Sequence, residues 1–477
     1  MMNRPNSPTL AFYTKFRAGA VDEIPEISGT AHLLEHMLFK GTKNVGTKNY
    51  KEEEVYCEQI KTIGHQLDEL KLSIRSYEKK QEDPPPYLVS KMKRLGDELK
   101  SLQEQQKKYI VKSEDSYIYE QHGQVGFNAY TTNDVTNYQI QLPANRIEVW
   151  ARLESDRLKN PVLREYYTER EVIMEERRMR VENSGMGTLR EKYISLAFDQ
   201  LPYRKPVIGY ASNIPFLDIY QTEDFFQKHY SPDNMVISIV GDQDFSKTES
   251  IVQKYFSDLK PSHTQTILRV QEVFHQGEKR VRIKYPNSPI MLMGWNKPAT
   301  PHYDNSVVDV IDALLTKGVD SRLFKRLVLQ EKIVLGVDGW NGDPGERYSN
   351  LYTLYFRNNS DADPVKIEEI VWEEIEKLQK GQITEEEITI IKNRIIADFL
   401  RDIDYNSTLA DTLSYYEIVT GDWENLFNSY DKFSKVTIQD IKRVANEYFT
   451  KDNVTIANLI DSREKEKTKQ KISSSSL

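Results

Sequence analysis

The most regular hydrophobic pattern in the chain lies near its start. Apolar residues fall at Tyr56, Ile60, Ile63, Leu67, Leu70, Ile74 and Tyr77, mostly alternating steps of four and three. That spacing is the heptad signature of a helix burying one narrow stripe. Pro84-Pro85-Pro86 follows, and no helix interior accepts three prolines. The spacing resumes at Leu88, Met92, Leu95, Leu99 and Leu102. Residues 50 to about 112 therefore predict an antiparallel coiled-coil hairpin, each arm roughly 35 Å long at about 1.5 Å rise per residue. Two roles are open to it: a solvated structural pair of helices, or a projection that contacts a partner.

Elsewhere the pattern switches between strand and helix periods. Residues 9–19 read as a strand, and 28–39 as a largely buried helix with cap-type residues at Ser28 to Thr30. Residues 126–142 predict two strands around a polar turn at 132–134, with helices at 144–158 and 165–182 and a short strand at 235–240. A polar stretch near 258–267 is the best linker. Beyond it the order repeats in outline. Strands are expected at 279–285, 289–294, 334–340, 349–357 and 453–459, and helices at 303–316, 320–331, 364–380, 384–403 and 437–449. Mixing without strict alternation predicts an α+β fold. The expected domains are 1–258, carrying the hairpin at 50–114, and 259–462. The charged, serine-rich residues 463–477 read as a disordered tail.

Composition narrows the function classes. The 477 residues predict two to four domains with room for a buried core. A formal charge of −8 gives no reason to expect nucleic acid as a partner. A lone cysteine, Cys57, excludes an internal disulfide and leaves the redox compartment open. No apolar run has the length of a membrane span. The sequence as given carries no signal peptide, which reads as cytoplasmic.

The chemistry concentrates at His32-Leu33-Leu34-Glu35-His36. On a helix, residues i and i+4 lie one above the other, so both imidazoles face one way and can take adjacent positions on a tetrahedral zinc. Glu35 can lie beside such a metal without ligating it and take a proton from its bound water, whose pKa falls to near 7 on zinc. This is the His-Glu-x-x-His arrangement of zincins in reverse. Chance produces such a pattern in a chain of this composition at a rate on the order of 1%. Ala31, Leu33, Leu34, Met37, Leu38 and Phe39 make the helix apolar, and three ionisable residues inside it are costly without a shared partner. A third ligand is needed. In 169–176 (EREVIMEE), helical phase puts Glu169, Val172, Ile173 and Glu176 on one inward stripe. Either glutamate could reach the metal, and phase alone does not choose.

Residues 28–42 (SGTAHLLEHMLFKGT) resemble the metal helix of the M16 peptidases, the pitrilysin, insulinase and mitochondrial processing peptidase family. Residues 169–176 are similar to that family's downstream Glu-Arg-x-Val-x-x-x-Glu element. Further matches are Asn128-Ala129-Tyr130-Thr131, Asp156-Arg157 and 230–241 (YSPDNMVISIVG). The resemblance covers most of the chain outside the hairpin and the tail. It implies two homologous α/β-sandwich domains enclosing a chamber, and one zinc ion held by His32, His36 and Glu176. It makes Glu35 the general base and Glu169 a supporting carboxylate. It places the substrate as an extended strand beside Asn128, Ala129 and Tyr130.

Three departures from that family shape the expectations. His36 and Glu176 lie 140 positions apart, about twice the family's separation; removing roughly residues 50–114 restores it, so the hairpin is expected to be an insertion. The family has a further strand before the one near Leu10, which suggests that translation starts upstream of Met1; the protein would then be periplasmic or exported. Members that cleave alone carry an arginine and a tyrosine seven apart in the second half. The aligned positions here hold Gln330 and Val337; Arg347 and Tyr348 lie nearby at the wrong spacing. Some two-subunit members divide these groups between chains, so a second M16-like subunit is the expected partner. The expected function is zinc-dependent endopeptidase chemistry on peptides or unfolded segments. The alternative is a catalytically inactive subunit or scaffold.

Overall fold

The computed structural model describes residues 1–264, 268–274 and 276–463. Strands β1 (Met2–Asn3) and β2 (Thr9–Phe16) precede helix α1 (Thr30–Leu38). The long α2 (Tyr50–Lys79) and α3 (Pro86–Gln106) follow, then α4 (Glu114–Gln121), β3 (Val125–Thr131) and β4 (Thr136–Pro143). Helices α5 (Ile147–Lys159), α6 (Tyr166–Arg177), α7 (Gly185–Ala197) and α8 (Ile219–His229) lead to β5 (Met235–Gly241) and α9 (Phe245–Phe256). Next come β6 (Lys279–Tyr285), β7 (Ile290–Lys297), α10 (Tyr303–Thr316), β8 (Val334–Asp343) and β9 (Asn350–Asn358). Helices α11 (Pro364–Gln379), α12 (Glu385–Asp402), α13 (Asn406–Thr420), α14 (Asn425–Lys435) and α15 (Ile438–Tyr448) precede β10 (Val454–Asp461).

These elements form two compact units. The first comprises Met1–Glu176 and Pro206–Thr266, the second Arg177–Lys205 and Ile267–Leu477. The first holds a five-stranded sheet in the order β1-β5-β2-β4-β3, parallel only between β1 and β5. Alternate residues of a strand face opposite sides. Leu10, Phe12 and Phe16 of β2 accordingly share one face and join Ile140, Leu142, Ile239, Trp150 and α1's Leu34 in one core. The second unit repeats the plan: order β6-β10-β7-β9-β8, parallel only between β6 and β10. Its core sets Met291, Met293 and Trp295 of β7 against α10, α11 and α15.

The hairpin is present as a helical pair. Ile60, Leu67, Leu70 and Ile74 of α2 bury against Leu95 and Leu99 of α3. The chain leaves and returns at one place: Thr47 bridges Ile110, the Lys48 amide donates to the Tyr109 carbonyl, and the Val111 amide donates to that of Gly46. The excursion is thus closed on itself. The same cluster includes Leu33 and Met37 of α1 and Tyr166, Tyr167 and Ile173 of the α6 region. One side of the hairpin is therefore packed into the unit and not solvated.

Several expectations differ from the structure. A boundary at 258/259 would leave α7 in the first unit, yet Arg177–Lys205 belongs to the second. The reason is local packing. The Tyr193 hydroxyl sits on the backbone of Gly294, where a Cβ would stand 1.7 Å from its oxygen, and it hydrogen-bonds the Thr353 hydroxyl at 2.8 Å. Behind α7, the buried Glu272 carboxylate accepts the amides of Asp199, Gln200 and Leu201 at 2.8–3.1 Å. The helix expected at 320–331 contains a widened π-type stretch, Phe324–Gln330. Helices α4, α7, α8, α9, α13 and α14 had no sequence counterpart. Of the expected tail, 464–477 lies outside the described residues, as do 265–267 of the linker.

Candidate metal centre

Helix α1 begins at an unusual cap. Gly29 takes φ +102°, a left-handed value that glycine adopts without strain, and a Cβ there would stand 2.9 Å from the Ile208 carbonyl oxygen. The expected side-chain caps at Ser28 to Thr30 are not used. Instead the buried Glu23 carboxylate accepts the amides of Gly29 (3.0 Å) and Ala31 (2.8 Å). An anion at a helix N-terminus also suits the helix dipole. The apolar side of α1 enters the sheet core and the hairpin cluster through Leu34 and Leu33. His32, Glu35 and His36 are left to face α6 and the end of β3.

The geometry brings three donors together. One ring nitrogen each of His32 and His36 and one carboxylate oxygen of Glu176 lie within 4.8 Å of one another. The Nε2 atoms of His32 and His36 stand 3.7 and 3.5 Å from the two Glu176 oxygens. Among the described residues this is the one cluster of three or more such side chains with metal-ligand geometry. Glu169, one helical repeat earlier on α6, lies behind the donors: its Oε1 meets His36 Nδ1 at 3.0 Å and its Oε2 meets Lys40 Nζ at 2.6 Å. Of the two glutamates that helical phase left open, Glu176 therefore converges with the imidazole Nε2 atoms, and Glu169 orients a ring. Val172, expected on the same inward stripe, is 46% exposed. The inward face instead runs through Tyr166, Glu169, Arg170 and Ile173. Nothing in phase alone marked Arg170, because its buried partner is more than 100 positions away.

Electrostatics favour a cation here. Burial pulls the His36 pKa down, but its hydrogen bond to Glu169 and the charges of Glu169, Glu176 and Glu35 outweigh this and raise it. Burial raises Glu169, yet the hydrogen bonds from His36 and Lys40 hold it below the usual carboxylate range. Two imidazoles and a carboxylate, with a second carboxylate ordering one ring, fit zinc in kind and number.

Glu35 is 9% exposed and stands beside this cluster without joining it. The Thr131 hydroxyl donates to its Oε2 at 2.5 Å. The sequence had marked Thr131 and Lys40 only as members of matching runs, with no contact to Glu35 or Glu169, and had not marked Glu23 at all. Thr131 ends β3, the edge strand that pairs only with β4, so Asn128, Ala129 and Tyr130 lie on an open sheet edge. Asn128 is exposed, Ala129 buried, and the Tyr130 hydroxyl accepts from Lys15 at 2.9 Å. A cavity of about 380 Å³ opens beside Glu35 and His36, walled by Phe39, Lys40, Ile110, Val111, Lys112 and Glu165. In the second unit, Val337 is core and Gln330 exposed. Arg347 is buried, its guanidinium over the Tyr348 ring.

Comparison with known proteins agrees. The model of "Insulinase (Peptidase family M16)" matches residues 2–68, and that of "Peptidase M16 inactive domain" matches 218–395. The zinc protease PqqE of Helicobacter pylori is 27% identical over 328 residues, 68% of this chain and 73% of that protein. The mitochondrial-processing peptidase subunit beta of Saccharomyces cerevisiae is 21% identical over 457 residues, covering 93% and 84%. The crystal structure of a protease from Helicobacter pylori superposes with a TM-score of 0.78 at 23% identity, covering 96% of this chain and 95% of that one. Two M16-type domains, each mixing helix and sheet, make this chain a member of the M16 peptidase family.

Proposed function

We propose that the chain is a zinc-dependent endopeptidase acting on extended peptide segments. The observation that carries this is the convergence of His32, His36 and Glu176 within 4.8 Å, with Glu35 alongside. His32, His36 and Glu176 would hold the zinc ion, which would supply Lewis acidity and lower the pKa of a nearby water. Glu35 accepts the water's proton and delivers it to the leaving amine, with Thr131 fixing its carboxylate. Glu169 holds His36 through Nδ1 and leaves Nε2 toward Glu176, as the nitrogen that would meet the metal. Substrate adds to the free edge of β3 along Asn128, Ala129 and Tyr130. Main-chain pairing of this kind requires an extended chain, which favours peptides and unfolded segments over folded proteins.

A second M16-like subunit supplies the arginine and tyrosine missing at Gln330 and Val337. The relatives named as a processing-peptidase subunit support this reading. The competing reading, an inactive subunit, draws on the "inactive domain" description of the model matching 218–395. Metal analysis together with a Glu35→Gln comparison separates them. The wild type is expected to hold one zinc per chain and, given its partner, to cleave peptides; Glu35→Gln keeps the zinc and loses the cleavage. A wild type without zinc or turnover in the presence of the homologous subunit supports the inactive reading. Full activity of the chain alone removes the need for a partner.

A further inference from the structure

The hairpin does more than pack in one apolar cluster with α1 and α6. We infer that it positions the metal-ligand helix α6 through a buried ion pair, Asp68 with Arg170, and that zinc affinity depends on this brace. The inference rests on the zinc reading above.

Arg170 follows Glu169 directly, on the side of α6 that meets α2. Its guanidinium meets the Asp68 carboxylate with two hydrogen bonds, of 2.7 and 3.1 Å, and donates to the Leu217 carbonyl at 2.8 Å. Both side chains are about 95% buried. A second tie sits at the root of the hairpin. Arg164, just before α6, pairs with Glu53 of α2 at 2.7 and 3.1 Å, both wholly buried. The same guanidinium donates to the carbonyls of Lys40 (3.1 Å) and Thr42 (2.6 Å), directly beyond α1. Between the two ties the Tyr167 ring lies on the backbone of α2 at Gly64, where a Cβ would stand 2.0 Å from the ring. The hairpin therefore holds α6 through Asp68, and through Glu53 the Arg164 side chain that also ties the segment just beyond α1.

The form of the contact indicates what it does. A buried ion pair adds little net stability over an apolar pair of the same volume, because desolvation offsets its attraction. A two-pronged guanidinium–carboxylate contact does fix direction and spacing. A metal site needs that, since its ligands must be held within about 0.5 Å of their working geometry. Changes to groups supporting metal ligands typically weaken metal binding by about 10- to 100-fold.

The test separates positioning from stability. Asp68→Leu with Arg170→Met replaces the pair by apolar side chains, which is expected to keep the protein folded and near wild-type in urea unfolding. Zinc affinity of the full chain is measured by competition with a chromophoric chelator, with Leu314→Ala in the second unit as a destabilised control. The expected result is a zinc Kd raised about 10-fold in the double variant and unchanged in Leu314→Ala. Arg170→Lys, which keeps the charge but loses the fork, is expected to fall between wild type and the double variant. If the double variant fails to fold, Arg170→Lys decides. A folded double variant, or in its absence Arg170→Lys, that binds zinc as tightly as wild type overturns the brace while leaving the zinc reading intact. A wild type that binds no zinc at all overturns both.

Discussion

Helix α1 follows β2 as α10 follows β7, and the two sheets share one strand order. Polar residues are buried on both helices, yet they meet different fates. On α10, Asp304 receives the Arg443 guanidinium and the Tyr448 hydroxyl; Asp312 receives the Thr316 and Tyr352 hydroxyls and pairs with Lys317. Asn305 accepts from Lys297, and Asp309 from Asn341. Each acidic group on α10 is answered by a donor from its own unit. On α1, His32 and His36 instead converge on Glu176, and His36 also meets Glu169. The same architecture thus carries a closed polar core in one unit and, in the other, a cluster of imidazoles and a carboxylate that could hold a metal ion. The difference lies in the kind of groups brought together: carboxylates with hydroxyl, amide, ammonium and guanidinium donors on α10, and imidazoles with carboxylates beside α1.

Glu35→Gln should break the contrast most sharply. With the homologous subunit present, kcat is expected to fall by about 10²- to 10⁴-fold while zinc content stays at wild-type level; steady-state kinetics with elemental analysis checks this. Glu176→Ala removes a donor outright, and should weaken zinc binding by more than the roughly 100-fold that an outer change costs. Glu169→Gln, read in the same chelator competition, should fall in the range of about 10- to 100-fold, because it disturbs a ring and not a ligand. In the second unit, Asp304→Ala should leave zinc binding untouched and cost about 1–3 kcal/mol of stability in urea unfolding, because it removes the carboxylate that the buried Tyr448 hydroxyl bonds at 2.7 Å. A change in zinc affinity there would erase the distinction between the units.

The smallest effect concerns the hairpin's other contact. His65 of α2 bonds Asp218 at 2.6 Å, and this hydrogen bond raises its pKa above the ordinary value near 6.5. A raised histidine pKa stabilises the folded form below the unfolded pKa, and that contribution disappears as pH rises through the folded value. The pair is half-buried at the surface and screened by solvent, so the effect should be slight. The urea-midpoint gap between wild type and His65→Gln should be wider at pH 5.5 than at pH 8.5.

Much of this was legible in the chain itself. The i,i+4 histidines, the hairpin stripe and the strand periods are short-range patterns that report helical or extended phase directly. Phase also narrowed the third donor to Glu169 or Glu176, but placed Val172 inward, where the structure has Arg170. Local sequence determined which residues could be ligands and which faces would be apolar. Only the tertiary structure decided that Glu176 meets both Nε2 atoms and Glu169 one Nδ1, that Glu23 caps α1, that α7 joins the second unit, and that the hairpin grips α6 through Asp68. Each of those outcomes depends on buried polar groups finding partners outside their own element, from six to more than a hundred positions away. Periodicity carries no record of such pairings; close packing and the cost of burying an unanswered charge select them.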